Sequence, residues 1–212
     1  MPFATDRFLL AYEPDIFEDI SFGSQTRVNV ADGLVSGTTL TSATADFTTA
    51  QIDAGSVLLI NAITCEVISR TDANTVEISL PRAAILDNAI PPGDGSSLSV
   101  VGKTFANQAH LVYQKLLDKL GIIDGAIETA PTADQILSLD NMRRLESLGT
   151  LARIYTGAVA IGADNTVVLT KSQNYREQFD AACNAAVIQF DTNADGIADF
   201  ERHLGTINWV RT

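Results

Sequence analysis

The stretch LSVVGKTFANQAHLVYQKLLDKLG, residues 98–121, is where the chain changes period. Residues 98–101 read as a β-type run. From Phe105 onward the apolar positions fall at Phe105, Ala109, Val112, Leu116 and Leu120, the i, i+4, i+7, i+11, i+15 stripe of one helical face. Gly121 follows as a glycine does past a helix C-terminus, where a left-handed residue closes the last turn. The fold class follows from what lies on either side of this switch.

Upstream, residues 26–103 hold short β-type runs at 27–30, 34–41, 56–61, 64–70, 75–80 and 98–101. Ala31-Asp32-Gly33, Ser36-Gly37, Asp53-Ala54-Gly55 and Asp72-Ala73-Asn74 supply residues that tolerate turn conformations, and Pro91-Pro92-Gly93-Asp94-Gly95 is the clearest loop. Six such strands predict a small antiparallel barrel or sandwich. Before them, residues 1–25 read as short helices, with Thr5 as N-cap, Phe8, Leu9 and Tyr12 on one face, and Pro14 opening a second turn.

Downstream the helical period persists. Thr132 to Gln135 has the form of a capping box, and Asp140 is placed to cap a long helix with the face Met142, Leu145, Leu148, Ala152, Tyr155, Val159. Another helix follows Asp164 and carries Tyr175, Phe179, Ala182, Ala186 and Val187 inward. The expected architecture is α+β: three long C-terminal helices plus the short N-terminal ones form a bundle, into which the β-module is inserted. The expected boundaries are 1–25 as a lead-in belonging to the bundle, 26–103 as the inserted β-domain, 104–190 as the bundle, and 191–212 as an Asp-rich loop with a strand-like arm at 206–211.

The chain has 212 residues, 46% hydrophobic and 19% charged, which is a globular composition. Its 14 basic residues against 26 acidic ones leave a net charge of −12, of which −8 falls in residues 1–104. Gripping a nucleic-acid backbone needs clustered Lys and Arg, and no basic stripe is present. An acidic wall can still line a channel through which DNA passes unheld. The longest apolar runs, such as 57–60, fall far short of the ~20 residues of a membrane span, and MPFATDRF lacks a basic stretch leading into an apolar one, so neither a span nor a leader is expected. Cys65 and Cys183 lie far apart in a strand and a helix and read as buried reduced thiols.

Motifs for phosphate cradling, dinucleotide binding, zinc hydrolysis and nucleophilic serine chemistry are all missing, and His110 and His203 stand without companions. No enzyme activity is expected. One segment has ligand-like spacing: Asp191-Thr192-Asn193-Ala194-Asp195-Gly196-Ile197-Ala198-Asp199. Side-chain oxygens at Asp191, Asn193 and Asp195, glycine at the sixth place, the Ile197 carbonyl and Asp199 match the first nine positions of a calcium loop. The twelfth position is Arg202 where an EF-hand has a bidentate Glu, so the segment resembles the shorter loops of thrombospondin type-3 repeats. No cofactor is required; calcium is the one ion this loop would take, in an ordering role. Asn, Asp and Gly here equally serve as plain turn formers.

A resemblance runs along nearly the whole chain. Ala4-Thr5-Asp6 with Leu9-Leu10 and Glu13-Pro14, then Val35-Ser36-Gly37-Thr38-Thr39-Leu40-Thr41, Glu66-Val67-Ile68, Thr75-Val76, Asn141-Met142-Arg143-Arg144-Leu145 and Tyr175-Arg176-Glu177-Gln178-Phe179 look like the head-to-tail connector (adaptor) proteins of tailed bacteriophages, prophages and gene transfer agents. Their order and the helix-β-helix layout are distinctive, while each segment alone is ordinary. The resemblance implies a non-enzymatic virion protein, made in the host cytoplasm and placed at the virion neck, that forms a ring, expected to be twelvefold, beneath the portal protein. It would carry the DNA channel to a tail-side neck or tail terminator protein, without sequence-specific DNA binding and without a membrane. The expected assembly residues are Ile207, Trp209, Val210 and Arg211 in the terminal arm, which carries the sole tryptophan, with Arg143 and Arg144 on a helix surface. Two other readings fit the same composition: a tail completion or baseplate protein, and a calcium-dependent binding or adhesion module.

Overall fold

In the computed structural model, which describes residues 2–122, 131–161 and 166–205, the chain divides into two compact units. One comprises Thr5–Ala106; the other comprises Met1–Ala4 with Asn107–Thr212.

The first unit is built on six antiparallel strands: β1 (Thr26–Ser36), β2 (Thr39–Thr41), β3 (Val57–Ile60), β4 (Ile63–Arg70), β5 (Thr75–Ser79) and β6 (Gly95–Lys103). They close into a barrel in the order β1-β2-β5-β4-β3-β6. Leu40, Phe47, Leu58, Cys65, Val76, Ile78 and Val100 fill its interior and are fully buried. The barrel's first and last strands pair directly, Thr26 opposite Lys103, so the chain enters and leaves at neighbouring points. Adjacent ends are what permit a whole domain to be inserted into another.

The expected turn at Ala31-Asp32-Gly33 lies instead inside β1, which runs unbroken for 11 residues. Register shifts on either side of Gly33 absorb the irregularity. A Cβ on Gly33 would stand 2.5 Å from Val100 Cγ2, so the glycine is needed for close strand approach. Asp32 meanwhile holds the 42–45 turn, accepting hydrogen bonds from Ser42 Oγ (2.6 Å), Thr44 N (2.9 Å) and Thr44 Oγ1 (2.8 Å).

The short helices α1 (Asp6–Leu10) and α2 (Ile16–Asp19) belong to this barrel unit, whereas the pattern placed residues 1–25 with the bundle. Their contacts account for the difference: Phe17 packs against Phe105 with tilted rings 4.9 Å apart, Lys103 Nζ donates to the Phe17 carbonyl (2.7 Å), and Phe105 N donates to Asp6 Oδ1 (2.9 Å). Thr5 occupies the N-cap position without making a side-chain cap bond. Arg7 N donates to the Gly55 carbonyl at 3.0 Å, which fastens the helix start to the barrel.

The second unit holds α3 (Ala106–Leu120), α4 (Leu139–Ala160) and α5 (Thr166–Ala185). The stripe read from the sequence of α3 is the buried one, with Leu117 added. Over residues 145–151 every α4 side is buried, so α4 is the central helix. Gly149 marks the crossing, since a Cβ there would lie 2.6 Å from Val112 of α3 and 2.9 Å from Phe179 of α5. The capping box at Thr132 and Gln135 forms but leads only a single 3-10 turn. At α4 the cap position is Ser138, one residue before Leu139; Asp140 sits in the first turn and pairs with Arg143 (2.8 Å). Asp164 lies outside the described residues.

The sequence pattern also missed a hairpin. Strands β7 (Val187–Phe190) and β8 (Phe200–His203) pair antiparallel from Val187 opposite His203 to Phe190 opposite Phe200. Val187, read as helical, opens β7. The expected arm at 206–211 lies outside the described residues.

Candidate functional site

The Asp-rich loop is the connection of the β7-β8 hairpin. Asp191 is 7% exposed, and its carboxylate gathers the loop's amides: Oδ1 accepts from Asn193 N (3.2 Å), Ala194 N (2.6 Å) and Asp195 N (3.3 Å), while Oδ2 accepts from Gly196 N (2.7 Å). Asn193 Oδ1 accepts from Asp195 N (2.9 Å), and Asp195 Oδ1 from Ile197 N (2.8 Å). Asp199 Oδ2 takes both Thr192 N (2.7 Å) and Thr192 Oγ1 (2.6 Å), which holds its carboxyl below the usual carboxylate range. The oxygens that the spacing assigned to an ion are therefore used first by the loop itself. No three His, Cys, Asp or Glu side chains among the described residues gather as a metal ion would need. The observed work of these side chains is to close a turn through charge-assisted hydrogen bonds.

Of the expected assembly residues, Arg144 is exposed at the rim of a groove of about 540 Å³ floored by Leu145, Ala181, Ala182 and Ala185. Arg143 is engaged by Asp140 on its own helix. Ile207, Trp209, Val210 and Arg211 lie outside the described residues.

Two buried carboxylates escaped the motif search. Glu66 on β4 is fully buried between two guanidinium groups, with Arg7 Nε donating to Oε2 and Arg82 Nε (2.7 Å) and N (3.0 Å) donating to Oε1. Arg82 passes the order on, because its Nη1 donates to the Asp87 carbonyl (2.7 Å) while Asp87 Oδ2 accepts from Ala84 N (2.8 Å). The turn after β5 is thus braced from the outer face of β4, opposite the side on which Cys65 and Val67 fill the barrel. A stray Glu in an otherwise apolar strand, Cys65-Glu66-Val67, was the available signal.

Glu146 is the second. It is fully buried on α4 and accepts from Phe3 N (2.6 Å) and Ala4 N (3.1 Å) through Oε2, while its Oε1 and the hydroxyl of Thr150 one turn later have no hydrogen-bond partner. Burial pushes its pKa from 4.5 up to about 7, against the pull of the Ala4 and Phe3 N–H groups. The effect is to fasten residues 2–4 to the central helix.

Cys65 and Cys183 are free and buried, and burial pushes the Cys65 thiol up to about 11, which makes it inert as a nucleophile. His110 is exposed and stacks on Tyr113; His203 is exposed on β8. No helix among the described residues is long and apolar enough to cross a membrane. No protein-family model, no curated protein and no solved structure matches this chain.

Proposed function

We propose that this chain is a head-to-tail connector of a tailed phage, prophage or gene transfer agent, a structural ring component seated beneath the portal protein and continuing the DNA channel toward the tail. The observation that carries the reading is the layout. A complete closed barrel occupies Thr5–Ala106, and the helical unit takes its residues from both sides of it, Met1–Ala4 and Asn107–Thr212. That helix-β-helix order is what the sequence resemblance implies, and it agrees with segments that run from Ala4 to Phe179. The acidic charge suits a part that lets DNA pass without holding it.

The test is electron microscopy of lysates from the parent phage carrying an early stop codon in this gene. DNA-containing or leaking heads beside separate finished tails are the expected debris. Complete particles would refute the proposal, and full heads joined to incomplete tails would move the protein to tail completion.

A further inference from the structure

We infer that copies of this chain join head to tail by seating the apolar turn at residues 83–90 of one copy in the basic groove between α3, α4 and α5 of the next. The inference rests on the ring reading above and names its contact.

The turn is a built projection. Leu80 N donates to the Ile90 carbonyl (2.9 Å) and Ile90 N to Ser79 Oγ (2.8 Å), which closes its base. Arg82 and Asp87 brace its interior, and Arg82 is anchored on the buried Glu66. What this bracing holds in water is hydrophobic: Leu86 is 96% exposed, Ile85 52% and Ile90 46%. Single exposed apolar residues are ordinary, but a rigid cluster of three on one turn has the form of a docking surface. The barrel has no free strand edge, so it cannot recruit a partner by strand addition and must engage through loop side chains.

The groove is the complementary surface. It has a volume of about 300 Å³ and an apolar floor of Leu111, Val112, Ala152 and Phe179, drawn together where Gly149 lets the three helices cross closely. Lys115, Arg153 and Arg176, one from each helix, line it with the single acid Asp180. Arg153 and Arg176 pair with no acid among the described residues. The turn brings Asp87 beside Leu86, on a unit whose 13 acids face only five bases, while the groove itself carries three bases and one acid. Charge complementarity of this kind orients and selects partners. Because turn and groove are different surfaces, the contact is heterologous and closes into a ring when the rotation allows.

Disulfide trapping of the full chain tests this. The native thiols are buried, so Leu86→Cys and Ala152→Cys supply the reactive pair. Mixed and oxidised, the two single variants should give a covalent dimer that neither gives alone, and the double variant a ladder of oligomers. Leu86→Ser should abolish assembly in sedimentation while leaving the melting curve unchanged. Self-linking by Leu86→Cys alone, no covalent species, or unimpaired assembly of Leu86→Ser would each overturn the contact. If a short DNA duplex displaces the link and the Arg153→Ser, Arg176→Ser double variant no longer binds it, the groove holds phosphate and the inference fails. A chain that still assembles into rings without the 86–152 link refutes this contact alone, whereas complete particles from the stop-codon phage refute the connector reading.

Discussion

Replacing Glu146 by Gln should make the helical unit more stable at pH 8 and leave it unchanged at pH 4.5. Glu146 is buried, and burial outweighs both its N–H donors and the N-terminal charge, so its pKa stands at about 7 against an ordinary 4.5. A carboxyl raised in this way is favoured in its protonated form by the fold. Its contribution is complete below pH 4.5, where the unfolded chain is protonated too, and is withdrawn as pH rises through about 7. One proton costs about 1.4 kcal/mol per pH unit across that window, so the wild type forgoes roughly 3 kcal/mol by pH 8. Glutamine has nearly the same shape, keeps an oxygen for the Phe3 and Ala4 N–H groups, and has no proton to lose. Urea unfolding followed by helical circular dichroism, at pH 4.5, 6 and 8, gives the difference between the two proteins. Asp6, whose carboxyl burial lifts to about 6, titrates in both and cancels in that difference. The difference should grow from near zero to about 3 kcal/mol in favour of the variant. A flat difference, or a wild type that gains on the variant as pH rises, would refute the assignment of Glu146 as a buried, uncompensated acid.

Glu66→Ala should destabilise the barrel by about 3–5 kcal/mol, the cost of leaving two buried guanidinium groups without their anion, read from urea denaturation; a loss under 1 kcal/mol would mean that Arg7 and Arg82 turn to water instead. Asp191→Ala strips four backbone N–H groups of their acceptor and should cost about 2–4 kcal/mol in the helical unit, whereas calcium and chelator should leave the wild-type melting temperature alike; a rise with calcium would show that the loop gathers ligands around the ion. Residues 5–106 expressed alone should fold cooperatively with dispersed NMR amide resonances, because the sheet is closed and its first and last strands adjoin; a collapsed, undispersed spectrum would make the barrel dependent on the helices.

The sequence exposed those elements whose own periodicity is long or strongly punctuated. The α3 stripe and its Gly121 stop are visible because fifteen residues repeat one face. The strands β3 to β6 are each visible as a single β-type run, while the runs 27–30 and 34–41 divide β1 and β2 in the wrong place; closure is not visible, since it depends on β1 meeting β6 some seventy residues later. The β7-β8 hairpin escaped because each strand has four residues, too few for alternation to stand out, and because its loop also has a metal-binding spacing. The double reading has a physical basis: oxygen atoms spaced to surround a cation are also spaced to receive a run of backbone N–H groups. Glu66 and Glu146 were not legible as sites, since a lone acid in an apolar run gains meaning only when its distant partners, Arg7 and Arg82 for one and Phe3 and Ala4 for the other, are brought to it.

Both buried acids do the same mechanical work by opposite electrostatic means. Glu66 lies between two arginines, and it fixes a surface turn from the outer face of a barrel that has no free edge. Glu146 makes no salt bridge among the described residues, so its charge is expensive, yet it is the group that receives the backbone of residues 3 and 4 before the chain leaves for the barrel. An apolar residue at position 146 would pack without that penalty but would leave the Phe3 and Ala4 N–H groups without an acceptor. The penalty is the condition for tethering the N-terminal residues to the central helix. A chain built as a free-standing barrel and bundle would need neither carboxylate; one that must present a rigid turn and hold its first residues in a fixed place needs both.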